Sequence, residues 1–439
     1  MTSPAISNPD LEKDHLSDPN NNSRFGPQAN PKADDNDLSN FGPAPDGGTR
    51  AWLNAAGGFC IFFGCLGFTS CFGLLQQYYS THQLRDYDED DIAWIGSISS
   101  FIQFSGGAIG GPVFDRYGVW VLKPAAITYV FGLMMVSLCD KYWQFMLAQG
   151  VLMGSAVAFL QFPAFAVVSQ YFDKRRAAAI GIIASGSSVG GIIFPLVLSK
   201  LLNGTSIGFG WSMRIVGFII LPFMLFPCFF ISPRVPSRNT NFFIGAAWRD
   251  SRYVILVVAL FFMMMGMWTP VFYIPTYAVS QGMSVGLAAN LLAIINATST
   301  FGRIIPGILA DKLGRLNTFA FAGVGTGIMV FCINEPKTNA AIIVYSGFFG
   351  FISGTIISSA SAAISLCTKD PRNLGTYMGM GMGLSACAVL IGPPVNGALI
   401  SRYGSFTQVG IFSGVVSLTG GLIALSSKLV SPEGIFGKI

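Results

Sequence analysis

The sequence predicts an all-α integral membrane fold, with twelve transmembrane helices in two pseudo-symmetric six-helix bundles. Three observations carry this expectation. Of 439 residues, 52% are hydrophobic and 11% charged, and the mean hydropathy is +0.57; a soluble domain holds about a quarter of its residues as Asp, Glu, Lys and Arg. The apolar residues form long runs, with the charges collected between them. A charged motif also recurs at a fixed spacing, once in each half of the chain.

A crossing helix needs about 20 mostly apolar residues. Runs of this kind cover 52–79, 92–114, 119–138, 143–170, 177–202, 209–231, 253–279, 286–309, 316–334, 339–366, 373–400 and 406–428. Loops on one side hold Arg116, Lys123, Lys174, Arg175, Arg176, Arg234, Arg238, Arg249, Arg252, Lys312, Arg315, Lys369 and Arg372. The first loop on the other side is acidic (Asp86, Asp88, Glu89, Asp90, Asp91). Basic residues mark the cytosolic side, so both termini are expected there. The plasma membrane is the expected location, with a vacuolar or other internal membrane as the alternative.

Residues 1–45, rich in Asn, Asp, Ser and Pro, are expected to form a disordered cytosolic tail, because they bury too little apolar surface to offset ordering. Bundles over 46–231 and 253–428 follow, joined by a cytosolic linker over 232–252 that contains Pro233 and Pro236, and 429–439 form a short cytosolic tail. Asn203, in Asn203-Gly204-Thr205, is a glycosylation candidate in an outer loop close to the bilayer.

Several functional classes are excluded. Eight cysteines in apolar segments show no metal-ligand spacing and read as small fillers between helices. With His15 and His82 as the only histidines, no metal site, cofactor or catalytic cluster is expected, and the chain does not read as an enzyme. No phosphate-cradling Gly-rich loop appears, which leaves primary pumping unsupported. The net charge of +5 is spread over short loops, so nucleic acid is not an expected partner. The expected partners are the lipid bilayer and a small-molecule substrate; a coupled proton stays open, and the sequence sets no oligomeric state. A nutrient sensor that does not transport is the competing class, and the short tails argue against it.

The repeated motif is Gly111-Pro-Val-Phe-Asp115-Arg116-Tyr-Gly118 after the second run and Gly307-Ile-Leu-Ala-Asp311-Lys312-Leu-Gly314 after the eighth, 196 residues apart. Arg176 and Arg372 share the same 196. Two copies after the second run of each half argue for duplication. In such a loop, Gly allows close helix approach, and the carboxylate can pair with a base or cap a helix N-terminus. The pattern resembles the loop signature of the major facilitator superfamily, whose fold is two six-helix bundles around a central cavity.

Two further segments resemble the monocarboxylate porter family, in the style of its fungal members. Asp46-Gly47-Gly48-Thr-Arg-Ala-Trp52 looks like its first signature. Tyr171-Phe-Asp-Lys174-Arg175-Arg176-Ala-Ala-Ala-Ile-Gly181-Ile-Ile-Ala-Ser185-Gly186-Ser187 looks like its second. The residues themselves read as scaffold or gate, with Trp52 and Lys174–Arg176 suited to the headgroup region. The resemblance implies a secondary carrier of a small organic molecule. Efflux of an acidic or amphipathic metabolite is the favoured direction, and uptake of a monocarboxylate or riboflavin-like nutrient the alternative.

An ionisable residue inside a crossing is costly and points to function. Arg303 is the clear case here; its repeat partner, 196 residues earlier, is Gly107, so it stands outside the duplicated scaffold. A guanidinium suits a carboxylate through two parallel hydrogen bonds. In relatives that carry lactate-like acids, the resemblance implies an Asp one turn earlier and a Lys in the first crossing. Here Ser299 holds the first position and Gly67–Gln77 has no lysine, which puts simple proton symport in doubt. Further substrate-binding candidates are Asn296, Gln103, Tyr273 and Trp268, alongside Gln76, Gln77, Gln161 and Asn396; taken singly, each of the eight reads first as a helix-packing or interface residue. Trp268, Pro270, Phe272, Tyr273, Pro275 and Tyr277 suggest a bent, aromatic-lined gate, and Gly392–Gly397, with Pro393 and Pro394, a similar break.

Overall fold

A computed structural model describes residues 44–235, 243–368 and 370–429. The expected N-terminal tail up to residue 43, Pro236 and Arg238 of the linker, Lys369 and residues 430–439 lie outside the described residues.

No water reaches backbone N–H and C=O groups in a hydrocarbon layer, so a chain this apolar crosses it as helices that pair their own backbone. Among the described residues, eleven helical stretches are long and apolar enough to do so. The crossings are α1 (Thr49–Thr81), α2 (Glu89–Ser105 continued by Gly107–Tyr117), α3 (Leu122–Val136) and α4 (Tyr142–Tyr171). They continue as α5 (Arg176–Gly204), α6 (Gly208–Phe230), α7 (Ser251–Ser280) and α8 (Val285–Leu313). The last are α9 (Arg315–Phe331), α10 (Asn339–Ile364), α11 (Leu374–Tyr403) and α12 (Thr407–Ser426). One stretch that is continuous by length, Gly107–Val136, reverses at Gly118, where φ is 63. Both pieces of α2 run along α11, whereas α3 packs on α4 and α6. Separating the stretch at that turn gives the twelve crossings that the apolar runs predict.

Three crossings are interrupted midway; one is α2, which breaks at Gly106. α1 passes through a wide turn at Phe62–Leu66 and breaks at Ser70–Cys71. α7 breaks at Trp268, and Pro270, which has no N–H to bond backward, sits near the start of the resumed helix. The interruption expected at Gly392–Gly397 is absent: α11 is helical throughout, with Pro393 and Pro394 inside it. There α7 lies against it so closely that a Cβ on Gly392 would be 2.3 Å from the Met265 carbonyl oxygen, and the Tyr273 hydroxyl donates to the Pro393 carbonyl at 3.0 Å. This packing holds the helix through two prolines that would loosen it in isolation. α5 runs to Gly204, so Asn203 lies exposed in its last turn rather than in a loop.

The first six helices pack together, as do the last six, and two pairs dominate the contact between the sets: α5 with α8, and α2 with α11. Glycine makes both approaches possible. A Cβ on Gly379 would lie 2.0 Å from the Gly107 carbonyl oxygen, and one on Gly111 2.0 Å from that of Gly375. On the other side, a Cβ on Gly181 would lie 2.2 Å from the Arg303 carbonyl oxygen. Small residues let backbones meet where lipid offers no hydrophobic drive to association.

Gly379→Ala must therefore push α2 from α11, at a cost of about 1–3 kcal/mol, as overpacking does. Gly73→Ala is the control, because its Cβ meets nothing within 4 Å. Thermal unfolding in detergent should show a lower midpoint for Gly379→Ala only; equal midpoints would mean the backbones do not touch.

Candidate functional site

The repeated carboxylates each finish a helix of the opposite set. A helix N-terminus presents N–H groups without intrahelical acceptors and a partial positive charge, which an anion satisfies. Asp311, at the end of α8, accepts from the backbone N–H of Ala177 (3.1 Å) and Ala178 (2.9 Å) at the start of α5. Asp115, at the end of α2, accepts from the N–H of Gly375 (3.2 Å) and Thr376 (2.7 Å) and from the Thr376 hydroxyl (2.6 Å) at the start of α11. The second motif glycines, Gly118 and Gly314, turn the chain just beyond with φ of 63 and 105. The paired positions Ala177/Gly375 and Ala178/Thr376 are 198 apart, whereas the aspartates are 196 apart. The matching spacing of Arg176 and Arg372 thus does not carry into space. Arg372 pairs with neighbouring Asp370 at 3.1 Å, while Arg176 reaches the Ser365 hydroxyl (3.3 Å) and Asp173 (3.1 Å).

Arg315 pairs with Asp311 at 3.3 Å and donates to the Asp173 carbonyl, tying the turn after α8 to the loop before α5. Arg116 and Lys312, the motif's own bases, are exposed and take no part; Arg116 lies over the Tyr117 ring. The second signature is held from behind by the first. Asp46, the one described non-glycine residue with positive φ (52), turns its carboxylate onto the N–H groups of Asp173 (2.6 Å), Lys174 (2.7 Å) and Arg175 (3.4 Å). Its own N–H donates to the Tyr171 carbonyl at 3.0 Å, and Trp52 meets Phe172 edge-on at 5.1 Å. Gly48 (φ 89) supplies the turn into α1, and a Cβ on Gly47 next to it would meet nothing within 4 Å. Lys174 and Arg175 thus contribute backbone, with side chains exposed. Gly186 serves another contact: its Cβ would be 2.4 Å from the Phe59 carbonyl oxygen of α1.

Deeper along α8, Arg303 is buried, with 7% of its surface exposed. Its Nη1 donates to the Ala184 carbonyl of α5 at 2.6 Å and to the Ser187 hydroxyl. Its Nε is buried without an acceptor. Among the described residues no carboxylate pairs with it. The duplicated scaffold explains why only one half has room for this side chain. α2 meets α4 through Ser99 and Gly154, and α8 meets α10 through Ile295 and Gly350, both at the 196 spacing. At that spacing Gly107 takes the place of Arg303, and a Cβ there would run into the Phe162 ring at 2.3 Å; α10 carries Ser358 where α4 carries Phe162.

The other candidates scatter. Asn296 is near Arg303 on α8, where a Cβ on Gly191 of α5 would come 3.1 Å from its amide and 3.0 Å from the Ser70 hydroxyl of α1. Ser299 is buried against Gly354 of α10. Gln103 is committed to Gln161 of α4 at 3.0 Å, and Asn396 to Thr269 (2.8 Å) and Ser413 (2.9 Å). Tyr273 binds α11, Tyr277 binds the Asn334 and Pro336 carbonyls, and Trp268 keeps a buried indole N–H without a partner. Residue-by-residue reading missed Ser187 and Ala184 as partners of Arg303, and Thr376 and Ser365 in the clasps. Nothing in one helix announces which residue of another it meets.

The family model of the Major Facilitator Superfamily matches residues 56–334 and 300–435. The chain belongs to this superfamily. It is 48% identical to the Aspyridones efflux protein apdF of Emericella nidulans, over 89% of this chain and 80% of that one. It is 37% identical to the Fujikurins efflux protein of Gibberella fujikuroi, over 89% of this chain and 84% of the relative. It is 35% identical to the Agnestins efflux protein AgnL12 of Paecilomyces divaricatus, over 90% and 91%. Among solved structures, the human organic anion transporter MFSD10 superposes with a TM-score of 0.68 at 14% identity, over 86% of this chain and 100% of that one. The transporter FucP in its outward conformation superposes at 0.64 and 15% identity, over 85% and 98%. At such identities the superpositions speak for the fold.

Asp46→Ala should free the amides of Asp173 and Lys174. Losing hydrogen bonds to a charged acceptor is worth about 1.5–3 kcal/mol each, so their exchange should rise about tenfold or more. Hydrogen-exchange mass spectrometry over residues 172–176 reads this directly, and unchanged exchange would contradict the bracing role.

Proposed function

We propose that this superfamily member is a secondary active carrier that exports a small acidic metabolite from a fungal cell by alternating access. The observation that carries the reading is Arg303: a buried cation between α5 and α8, with no carboxylate to pair it among the described residues. Burying a charge without a counter-charge costs several kcal/mol, and residues kept at that cost inside a membrane mark a transport pathway. A guanidinium takes an organic acid through two parallel hydrogen bonds. The similar proteins named for efflux of aspyridones, fujikurins and agnestins support export as the direction. The signatures around Asp46 and Tyr171 support a place in the monocarboxylate porter branch.

In this reading the clasp end faces the cytosol, as the basic loops suggest, and the membrane is the plasma membrane. The bundles 46–231 and 253–428 rock as bodies about the α5–α8 and α2–α11 contacts. With both clasps formed, the cytosolic side is shut. Arg303 takes up its cargo when α5 and α8 part, and the break of α7 at Trp268 gives that helix a place to bend.

The test is export of a panel of organic acids from cells lacking the native gene, at matched surface expression. Arg303→Ala should lower export by about 10–100-fold, the loss of one or two charge-assisted hydrogen bonds, and Arg303→Lys should retain part of it. Export unchanged in Arg303→Ala would remove the acid-anchor reading.

A further inference from the structure

With both clasps closed, Arg303 can offer no acid a two-pronged grip. A guanidinium has two edges that present paired donors: Nη1 with Nη2, and Nε with Nη2. On the first edge, Nη1 is spent on the Ala184 carbonyl (2.6 Å) and the Ser187 hydroxyl of α5. On the second, Nε is buried and meets no acceptor. Both edges are blocked in the state that has both carboxylates on the opposite helix starts. The groups that hold Nη1 sit on α5 and Arg303 on α8, so moving α5 away frees that edge in one step. The unpaired Nε also finds its reason here, as a donor whose acceptor arrives only in the other state.

We infer that Ser187, with the Ala184 carbonyl, is an internal competitor that takes Arg303 from the bound acid as the clasps close and so sets where the cargo is released. This rests on the export reading above and deepens it. A bound molecule shifts the balance of the two states only by its difference in affinity for them. The Ser187 hydroxyl and the Ala184 carbonyl supply the difference. When α5 and α8 are apart, the guanidinium is free for an acid entering from the clasp side. When they meet, α5 replaces the acid and the cargo leaves on the opposite side. The first half has no such device: Gly107 stands where Arg303 does, and the Phe162 ring fills the space. Ser187 is a positioning residue, acting on the cargo through Arg303.

The test uses the full chain in lipid nanodiscs with benzoate as the acidic probe and benzamide as its neutral counterpart. Ser187→Ala removes one competitor for Arg303. It should bind benzoate about tenfold more tightly than the natural protein, the equivalent of one hydrogen bond to a charged group. In vesicles, the same variant should show a lower KM and a lower kcat together, because release slows as binding tightens. Ser187→Thr keeps the hydroxyl and should restore the natural values, which separates this role from packing. If Ser187→Ala binds and transports benzoate like the natural protein while Arg303→Ala loses binding, the competitor role is overturned and the anchor stands. If Arg303→Ala binds benzoate normally, the anchor falls and the competitor with it. A natural protein that binds benzoate no better than benzamide overturns both.

Discussion

A helix that starts at a membrane face leaves its first N–H groups without partners, and a neighbouring carboxylate answers them better than water does. In this protein the answering carboxylates come from across the molecule. Asp311 completes α5 and Asp115 completes α11, so each set of helices is finished at one end by the other. Much else follows from that exchange. The glycines of α2, α5, α8 and α11 are needed because the helices must come close enough for a short side chain to reach. Gly118 and Gly314 are needed because the chain must turn away at once. Asp46 braces the loop that leads into α5, and so keeps the N–H groups of Ala177 and Ala178 where Asp311 can meet them. In the proposed cycle those bonds break, α5 and α8 part, and the buried Arg303 between them changes its surroundings.

The two halves share a scaffold and differ in what they hold inside it. Where the first half places Gly107 under the Phe162 ring, the second places Arg303 beside a helix that carries Ser358, and the smaller side chain leaves volume for the larger one. The polar pairs follow the same division. Gln103 and Gln161 tie α2 to α4 in the first half. In the second, Thr269, Ser413 and Asn396 tie α7, α12 and α11. Each network closes on itself with neutral partners, which suits rigid bodies, whereas Arg303 closes only by reaching across to α5.

Much of the fold was legible because its causes are local. Twenty apolar residues make a crossing whatever surrounds them, and the Gly-x-x-x-Asp motif marks the end of α2 and of α8 by its own composition. Arg303, an arginine well inside a crossing, was visible for the same reason. What escaped was relational. The 196 spacing holds within α2, α4, α8 and α10, where packing fixes the register, but it becomes 198 between the starts of α5 and α11, because the loop leading into α11 can vary in length without disturbing a helix. Arg176 and Arg372 looked equivalent on that account and are not. The prolines of α11 read as a break because a single helix shows nothing of Met265 and Tyr273 on α7 that hold it. Ser187 sat in plain view in the Ser185-Gly186-Ser187 signature, yet its partner is 116 residues away on another helix.

The central claim is that the two crossed carboxylates hold the clasp end shut. Arg116 and Lys312, exposed at that end on opposite sets, are suitable sites for spin labels as cysteines in a background without the native ones. Electron paramagnetic resonance distances between them should form one short population in the natural background. Asp115→Ala combined with Asp311→Ala should add a distinctly longer population, as the two sets part. A single short distance that survives both substitutions would contradict the account.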